Sequence, residues 1–363
     1  MRTNDGTVLK YHKIEEELRG KILSDSIRPG DKLPSENVLS KEYGVSRQTV
    51  RRALADLEAE GYIYAVHGSG TFCSEGARFK KESKDIAVVV TYLSDYIFPK
   101  VISGIDLVLS ENDYSLVLKC TNNSRGREII CLKELFKKNI DGIIIEPSKS
   151  NIFCKHKGLY NKLDEYGIPY IFIQGAYSTM GDKAHVVLDD EKGGYMLTKY
   201  LIGLGHREII GVFKSDDTQG QNRHKGYVKA LSEAGIMYDP ENVIWFYTED
   251  SAVHPYVSLQ NMIKSGKKVD AVVAYNDQVA MHMIKAIREL GLSVPKDISV
   301  TGYDNSQMAT STGLRLTTIV HPQEELGIMA AKMLLKMIRG EEVEKKVVIE
   351  PDIIIGNSCR AVN

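Results

Sequence analysis

Apolar residues recur along this chain in two rhythms, and the change of rhythm divides it. Up to about Cys73 the period is helical. Tyr11, Ile14, Leu18 and Ile22 share one face of a first predicted helix. Pro29-Gly30-Asp31 marks a turn. Ser35 is placed to cap a second helix, with Val38, Leu39 and Tyr43 apolar, and Gly44 ends it. A third helix starts at Ser46, whose hydroxyl can accept from an orphan N–H of the first turn. Val50, Ala53, Leu54 and Leu57 give this helix a core face, and Gly61 ends it. Tyr62 to Val66 and Thr71 to Cys73 then read as two short strands joined by the turn Gly68-Ser69-Gly70.

From residue 74 to 85 the chain is polar and lacks a period, with Arg78, Lys80, Lys81 and Lys84, as in a solvated linker. From Ile86 onward short apolar runs alternate with helical patterns. The spacing predicts strands at 86–90, 116–118, 142–145, 170–173, 186–188, 209–213, 271–274, 298–301 and 347–349, with helices such as 192–204 and 280–290 between them. That alternation implies parallel sheets covered on both faces. Residues 86–363 are too many for one small sheet. The run Asp141-Gly142-Ile143-Ile144-Ile145 is echoed by Asp270-Ala271-Val272-Val273-Ala274, which fits two similar lobes. The chain is expected to cross between them near Asp189, His321 and Gly340.

Composition narrows the classes. The 363 residues suggest two or three domains, and 43% apolar content supports real cores. A net charge of -1 excludes a protein that coats nucleic acid by bulk charge but permits a local basic face. Met1 to Gly6 holds no apolar segment of a secretory signal, and no run approaches the roughly 18 residues that span a membrane. Five scattered cysteines without a C-x-x-C pair read as idle thiols in a reducing compartment, with neither a disulfide nor a metal site. A cytoplasmic location is expected.

The third helix carries the first candidate chemistry. Arg47 and Arg51 are four apart and lie on one face, opposite the apolar stripe, with Gln48 beside them. Arginine can fork onto guanine and glutamine onto adenine. Exposed arginines more often form a solvated surface. The arrangement argues otherwise: capped helices, a tight Tyr43-Gly44-Val45 turn and a hairpin make a winged helix–turn–helix. Leu33-Pro34-Ser35-Glu36, Tyr43-Gly44-Val45-Ser46-Arg47, Thr49-Val50-Arg51-Arg52-Ala53-Leu54 and Gly68-Ser69-Gly70-Thr71-Phe72 resemble the GntR family of bacterial repressors. That resemblance implies base reading by Arg47 and Gln48, a base or phosphate contact by Arg51, phosphate contacts by Ser46 and Thr49, and backbone contacts by Lys10 and Tyr11. It places His67 near the minor groove, where an ordinary turn residue is the alternative.

Residues 86–363 lack the signatures of a nucleotide-dependent enzyme. Gly68-Ser69-Gly70-Thr71-Phe72-Cys73 starts like a dinucleotide fingerprint but lacks its last glycine and precedes no helix. No P-loop lysine motif, nucleophile elbow or metal-spaced histidine pair is present. Asp189-Asp190-Glu191 and Asp216-Asp217 suit helix caps or hydroxyl contacts. Leu204-Gly205-His206-Arg207-Glu208-Ile209-Ile210-Gly211, Arg223-His224-Lys225-Gly226-Tyr227, Tyr275-Asn276-Asp277-Gln278-Val279-Ala280 and Val300-Thr301-Gly302-Tyr303-Asp304-Asn305 resemble the LacI-type sensors, relatives of periplasmic sugar-binding proteins. A sugar needs charged acceptors, forked donors and an aromatic wall. Asp277 follows a predicted strand and opens a helix, where ligands bind in open α/β sheets. Asn276 and Asp304 follow strand ends on the same rim, and the resemblance implies sugar contacts by Arg223 and His321; a helix cap is the alternative for Asp277 and a surface salt bridge for Arg223.

A GntR-type reader fused to a LacI-type sensor resembles the AraR-type arabinose repressors. Thr91-Tyr92-Leu93-Ser94-Asp95-Tyr96-Ile97-Phe98-Pro99 and Ile145-Glu146-Pro147-Ser148-Lys149-Ser150 carry that likeness, as does Lys214-Ser215-Asp216-Asp217-Thr218-Gln219-Gly220. It adds Asp95, Tyr96, Glu146 and Lys149 to the expected sugar site. Gln174 stands where this family has an asparagine. The expectation is therefore an α/β chain: a winged helix–turn–helix at 1–75, a linker at 76–85 and a two-lobed periplasmic-binding-protein-like sensor at 86–363. It would be a non-enzymatic repressor that binds operator DNA as a homodimer, with no cofactor, metal or membrane partner, released by a sugar, L-arabinose. The alternatives are another pentose or an oligosaccharide, or a carbohydrate-processing enzyme with a DNA module.

Overall fold

The computed structural model describes residues 5–23, 26–74, 83–93, 96–136, 138–307 and 313–362. Two compact units are taken in turn: one centred on the first 85 residues, the other holding most of the remainder.

In the first unit, α1 (Asp5–Leu23), α2 (Glu36–Glu42) and α3 (Arg47–Ala59) precede β1 (Ile63–Val66) and β2 (Gly70–Cys73). The expected apolar faces close one core: Ile14, Leu18, Ile22, Leu39, Val50, Leu57 and Ile63 are buried together. Each such side chain contributes about 1.5–3 kcal/mol relative to exposure. Ser46 caps α3, its hydroxyl accepting from the Thr49 amide at 3.2 Å. Ser35 occupies the same position before α2 but makes no side-chain cap bond. β1 and β2 are antiparallel, with Val66 opposite Gly70. A segment absent from the pattern reading flanks β2: the Leu33 amide donates to the Thr71 carbonyl at 2.8 Å and the Cys73 amide to that of Asp31 at 2.9 Å.

The second unit holds two six-stranded sheets. The chain runs through β3 (Asp85–Val90), α4 (Phe98–Ser110), β4 (Ser115–Cys120), α5 (Arg125–Leu135), β5 (Gly142–Ile145), α6 (Lys157–Glu165), which groups with the first unit, β6 (Tyr170–Ile173) and β7 (His185–Leu188). It continues through α7 (Asp190–Gly203), β8 (Ile209–Lys214), α8 (Thr218–Glu233), β9 (Val243–Phe246), α9 (His254–Lys264), β10 (Ala271–Ala274) and α10 (Asp277–Glu289). Last come β11 (Ser299–Asp304), β12 (Thr317–Val320), α11 (Gln323–Ile338), β13 (Lys346–Ile349) and β14 (Asp352–Ile354). The sheet orders are β13-β7-β6-β5-β3-β4 and β14-β12-β11-β10-β8-β9. The echoed segments, β5 and β10, thus hold the same place in each sheet. Their strands are apolar throughout because both faces are covered.

The chain passes between sheets after β7, at Asp189, and after β12, at His321, as expected. The third crossing is not at Gly340. Residues 346–349 still pair with β7 in the first sheet, so the crossing falls at Glu350-Pro351, before β14 joins β12 antiparallel. The edge strands β9 and β14 were not among the predicted strands: β9 alternates buried with half-buried residues and β14 has none buried. Close helix packing orients the second lobe. A Cβ on Gly226 would meet the Glu191 carbonyl, and one on Gly194 the Arg223 carbonyl, so α7 and α8 touch backbone to backbone.

Candidate DNA-reading surface and ligand cavity

The exposed face of α3 begins with Arg47 and Gln48, both free of the core. Arg51 is 72% exposed and forks onto Glu36 of α2, Nε donating to Oε1 at 3.0 Å and Nη2 to Oε2 at 2.9 Å. These hydrogen bonds hold the Glu36 carboxyl below its ordinary range. Lys10 and His67 are exposed. Two expected contacts sit differently. Tyr11 is buried in the core, its ring 4.3 Å beneath the Arg52 guanidinium. Thr49 is buried as well, its hydroxyl 2.8 Å from that of Ser46. Each lies at an apolar-face position of its helix, which buries most of its side chain.

In the second unit a cavity of about 390 Å³ opens between the sheets, within the usual range for small-ligand pockets. Its polar lining comes from strand carboxyl ends: Thr91 follows β3, Glu146 follows β5, Gln174 follows β6, Lys214 ends β8, Asn276 follows β10, Asp304 ends β11 and His321 follows β12. Tyr92, Tyr96, Phe98, Phe246 and Tyr275 supply aromatic walls.

Arg223, on α8, is held on several sides. Its Nε donates to Asp190 at 2.8 Å, its Nη1 to the Tyr275 carbonyl at 2.6 Å, and its guanidinium lies 3.5 Å over the Tyr303 ring. Burial opposes its charge, yet Asp190 and Tyr303 hold it firmly protonated. Lys214, which approaches the same Tyr275 ring as Arg223, lies 3.0 Å from Asp217 and 3.7 Å from Asp216. Burial works against its charge too, and those two carboxylates raise it well above the ordinary lysine value. Glu146 is buried; the Thr91 amide and hydroxyl donate to it at 2.8 and 2.6 Å. Burial nonetheless pushes its carboxyl up to about 7. His321 is lowered to about 4 by burial and is neutral; its Nε2 lies 2.7 Å from Gln174 Oε1. The remaining His321 Nδ1 and Gln174 Nε2 have no partner among the described residues. Tyr96 donates to Asp304 at 2.7 Å. Asp304 itself has a φ of 97°, a costly conformation of the kind that clusters at ligand sites.

The cavity therefore gathers Tyr96, Glu146, Arg223, Asn276, Asp304 and His321 from the expected set. Asp277 is not on its wall. It is wholly buried, and its oxygens accept from Thr318 Oγ1 and the Ser306 amide, both at 2.7 Å. It opens α10 as expected, but its side chain ties β11 and β12 to that helix. Lys149 is not on the wall either. Its backbone turns to a φ of 51°, and its ammonium reaches across the rim to Glu249 at 2.5 Å and Asp216 at 3.4 Å. Asp95 lies outside the described residues. Lys214 and Tyr275 were missed; Asp217 was expected only as a cap or hydroxyl contact, and Gln174 only as a replacement for an asparagine. The signal for them was available, since each directly follows or ends a strand, or caps a helix, on the same rim. Among the described residues no helix is long and apolar enough to cross a membrane.

Comparison with known proteins assigns both parts. Residues 10–73 match the model of bacterial regulatory proteins of the gntR family, and residues 198–359 match the periplasmic binding protein-like domain. The chain is 38% identical over 361 residues to an arabinose metabolism transcriptional repressor of Halalkalibacterium halodurans, covering 96% of each chain. A repressor of the same name from Geobacillus stearothermophilus is also 38% identical, covering 98% of this chain and 99% of the relative. The chain belongs to this arabinose metabolism repressor family. Among solved structures, a LacI-family transcriptional regulator from Enterococcus faecium with bound ribose superposes with a TM-score of 0.66 at 27% identity, covering 77% of this chain and all of that one. A CelR regulator in complex with cellobiose, at 24% identity and a TM-score of 0.69 over 90% of this chain and all of that one, shows the same fold. The protein is a sugar-responsive transcriptional repressor with a GntR-type reader and a LacI-like sensor. These relatives set aside the reading as an enzyme.

Proposed function

We propose that this repressor binds operator DNA as a homodimer through residues 1–75, joined by a linker at 76–85 to a sugar-binding and dimerising region at 86–363, and that L-arabinose releases it. Such a repressor works in the cytoplasm, on nucleoid DNA. Arg47 and Gln48 read base edges, Arg51 meets a base or phosphate, Lys10 and Ser46 meet the backbone, and His67 approaches the minor groove. Two-fold symmetry then requires paired half-sites spaced by whole helical turns.

The observation that carries the sugar reading is the cavity wall. A clamped arginine, a lysine and several carboxylates face aromatic rings in a space of about 390 Å³. That wall offers donors and acceptors to vicinal hydroxyls and a stacking surface to a ring's apolar side. The relatives' names support arabinose as the sugar, and the ribose-bound neighbour supports a pentose. Closure of the lobes on the sugar changes the spacing of the paired readers. Operator and sugar then weaken each other's binding by one common factor.

A thermal-shift panel of pentoses and hexoses tests the ligand, because a sugar that binds the folded state raises the midpoint. L-Arabinose is expected to raise it most and to dissociate the protein from its operator in a gel shift. A larger shift with another pentose replaces the sugar in this proposal. Equal sugar affinity with and without operator ends the release mechanism.

A further inference from the structure

We propose that Lys32 is an additional phosphate-contacting residue of the reader, held at the tip of the wing and aimed at the backbone of bound duplex DNA. The proposal rests on the operator-binding role of residues 1–75.

Its basis is the way the side chain is held. Lys32 lies in the short segment that pairs with β2, directly opposite Phe72. Hydrogen bonds on either side, from the Leu33 and Cys73 amides, lock that register. Neighbouring side chains on an extended segment point to opposite faces. Leu33 is buried in the core, so Lys32 stands on the outer face of the wing sheet. From there it runs toward the turn. Its ammonium is 6.0 Å from the Phe72 ring, and its Cε passes 2.7 Å from where a Cβ on Gly70 would sit. Gly70, with a φ of 119°, closes the turn that carries His67. The bare glycine leaves room for the lysine stem, and the aromatic face holds the charge beside it.

The charge is also left uncommitted. Lys13 and Lys21 in the same unit have acidic partners, Glu17 at 3.9 Å and Glu42 at 3.6 Å. Among the described residues no carboxylate pairs with Lys32, and the stretch from Tyr62 to Cys73 contains no acidic residue. A pre-placed ammonium beside a turn that enters a groove matches a phosphodiester oxygen of that groove's wall. Lysine there is a point charge that positions the wing without reading a base.

The test uses the full chain and a labelled duplex that the wild-type protein enriches from a random-sequence pool, with an unrelated duplex beside it. Lys32→Met keeps the stem and its packing on Phe72 while removing the charge. The expected result is weaker binding to both duplexes and a salt dependence, log Kd against log salt, shallower by about 1. The affinity ratio of wild type to variant then shrinks about 3.5-fold between about 50 and 200 mM salt. Lys32→Arg is expected to restore the slope. An unchanged slope for Lys32→Met, or a loss confined to the enriched duplex, overturns the proposal. Failure of the wild-type protein to enrich any sequence instead overturns the operator-binding role on which it rests. A melting scan of each variant identifies a loss caused by misfolding; if Lys32→Met misfolds, the slope of Lys32→Gln, which also removes the charge, decides in its place.

Discussion

Arg51 and Arg223 are the same side chain put to opposite uses. Arg51 is 72% exposed, and its one acidic partner, Glu36, is solvated too. Arg223 is 7% exposed, with Asp190 only 4% exposed beside it. A solvated pair is worth little and is exchanged easily for another anion. A buried pair is held by the cost of leaving either charge alone. The reader therefore keeps its chemistry available for a partner that comes and goes. The sensor builds its chemistry into the core, so that a ligand meets a finished surface.

The comparison breaks most readily at Arg223. Arg223→Ala removes the cation 2.8 Å from Asp190 and 3.8 Å from Asp304 and is expected to cost about 3–5 kcal/mol of sensor stability, read by urea denaturation, and to abolish sugar binding. A variant as stable as wild type would show that the guanidinium is dispensable to the cavity.

Glu146 gives the next largest effect, with a definite sign. Its folded-state value of about 7 lies above the ordinary glutamate value, so the folded state holds the proton more tightly. Ionising this group costs stability progressively as pH rises from about 4.5 to 7, and the full cost persists above that. Glu146→Gln, whose amide oxygen can still accept from Thr91, is expected to be more stable than wild type by up to about 3 kcal/mol at pH 8 and by about 1 or less at pH 5. His321, lowered to about 4, acts in the opposite sense below about pH 6.5. Comparing variant with wild type at each pH cancels its contribution. A stability difference that does not change with pH would show that burial does not raise the Glu146 carboxyl.

Arg51→Ala is expected to weaken operator binding by tenfold or more, about 1–3 kcal/mol, while leaving the melting midpoint unchanged. An altered midpoint with full DNA binding would reverse the roles assigned to the two arginines. The smallest effect belongs to Ser46→Ala. Loss of the α3 cap is expected to cost about 1 kcal/mol of reader stability, seen as an earlier melting transition.

Much of this molecule was legible along the chain. Helical spacing in the reader and doubly covered strands in the sensor both reflect burial on a fixed face, and periodicity reports that directly. The edge strands β9 and β14 escaped because a half-exposed strand carries a mixed pattern. The third crossing was misplaced at Gly340. That glycine ends α11, with a φ of 73°, but a helix end does not say which sheet the next strand joins. In the cavity, position after a strand identified Asn276 and His321 and equally nominated Asp277. Only the packing of α10 against β11 and β12 shows that the Asp277 carboxylate is consumed internally.

The sequence by itself determined the two architectures, the reading helix and the rim on which the sensor's polar groups gather, because these follow from local spacing, caps and strand ends. Tertiary structure decided which of those groups are free. Whether Lys149 bridges the lobes, Tyr11 enters the core or Arg223 is clamped depends on partners that lie far away in the chain. The energy of a charge is set by that surrounding dielectric and by those partners, and residue order alone does not contain them.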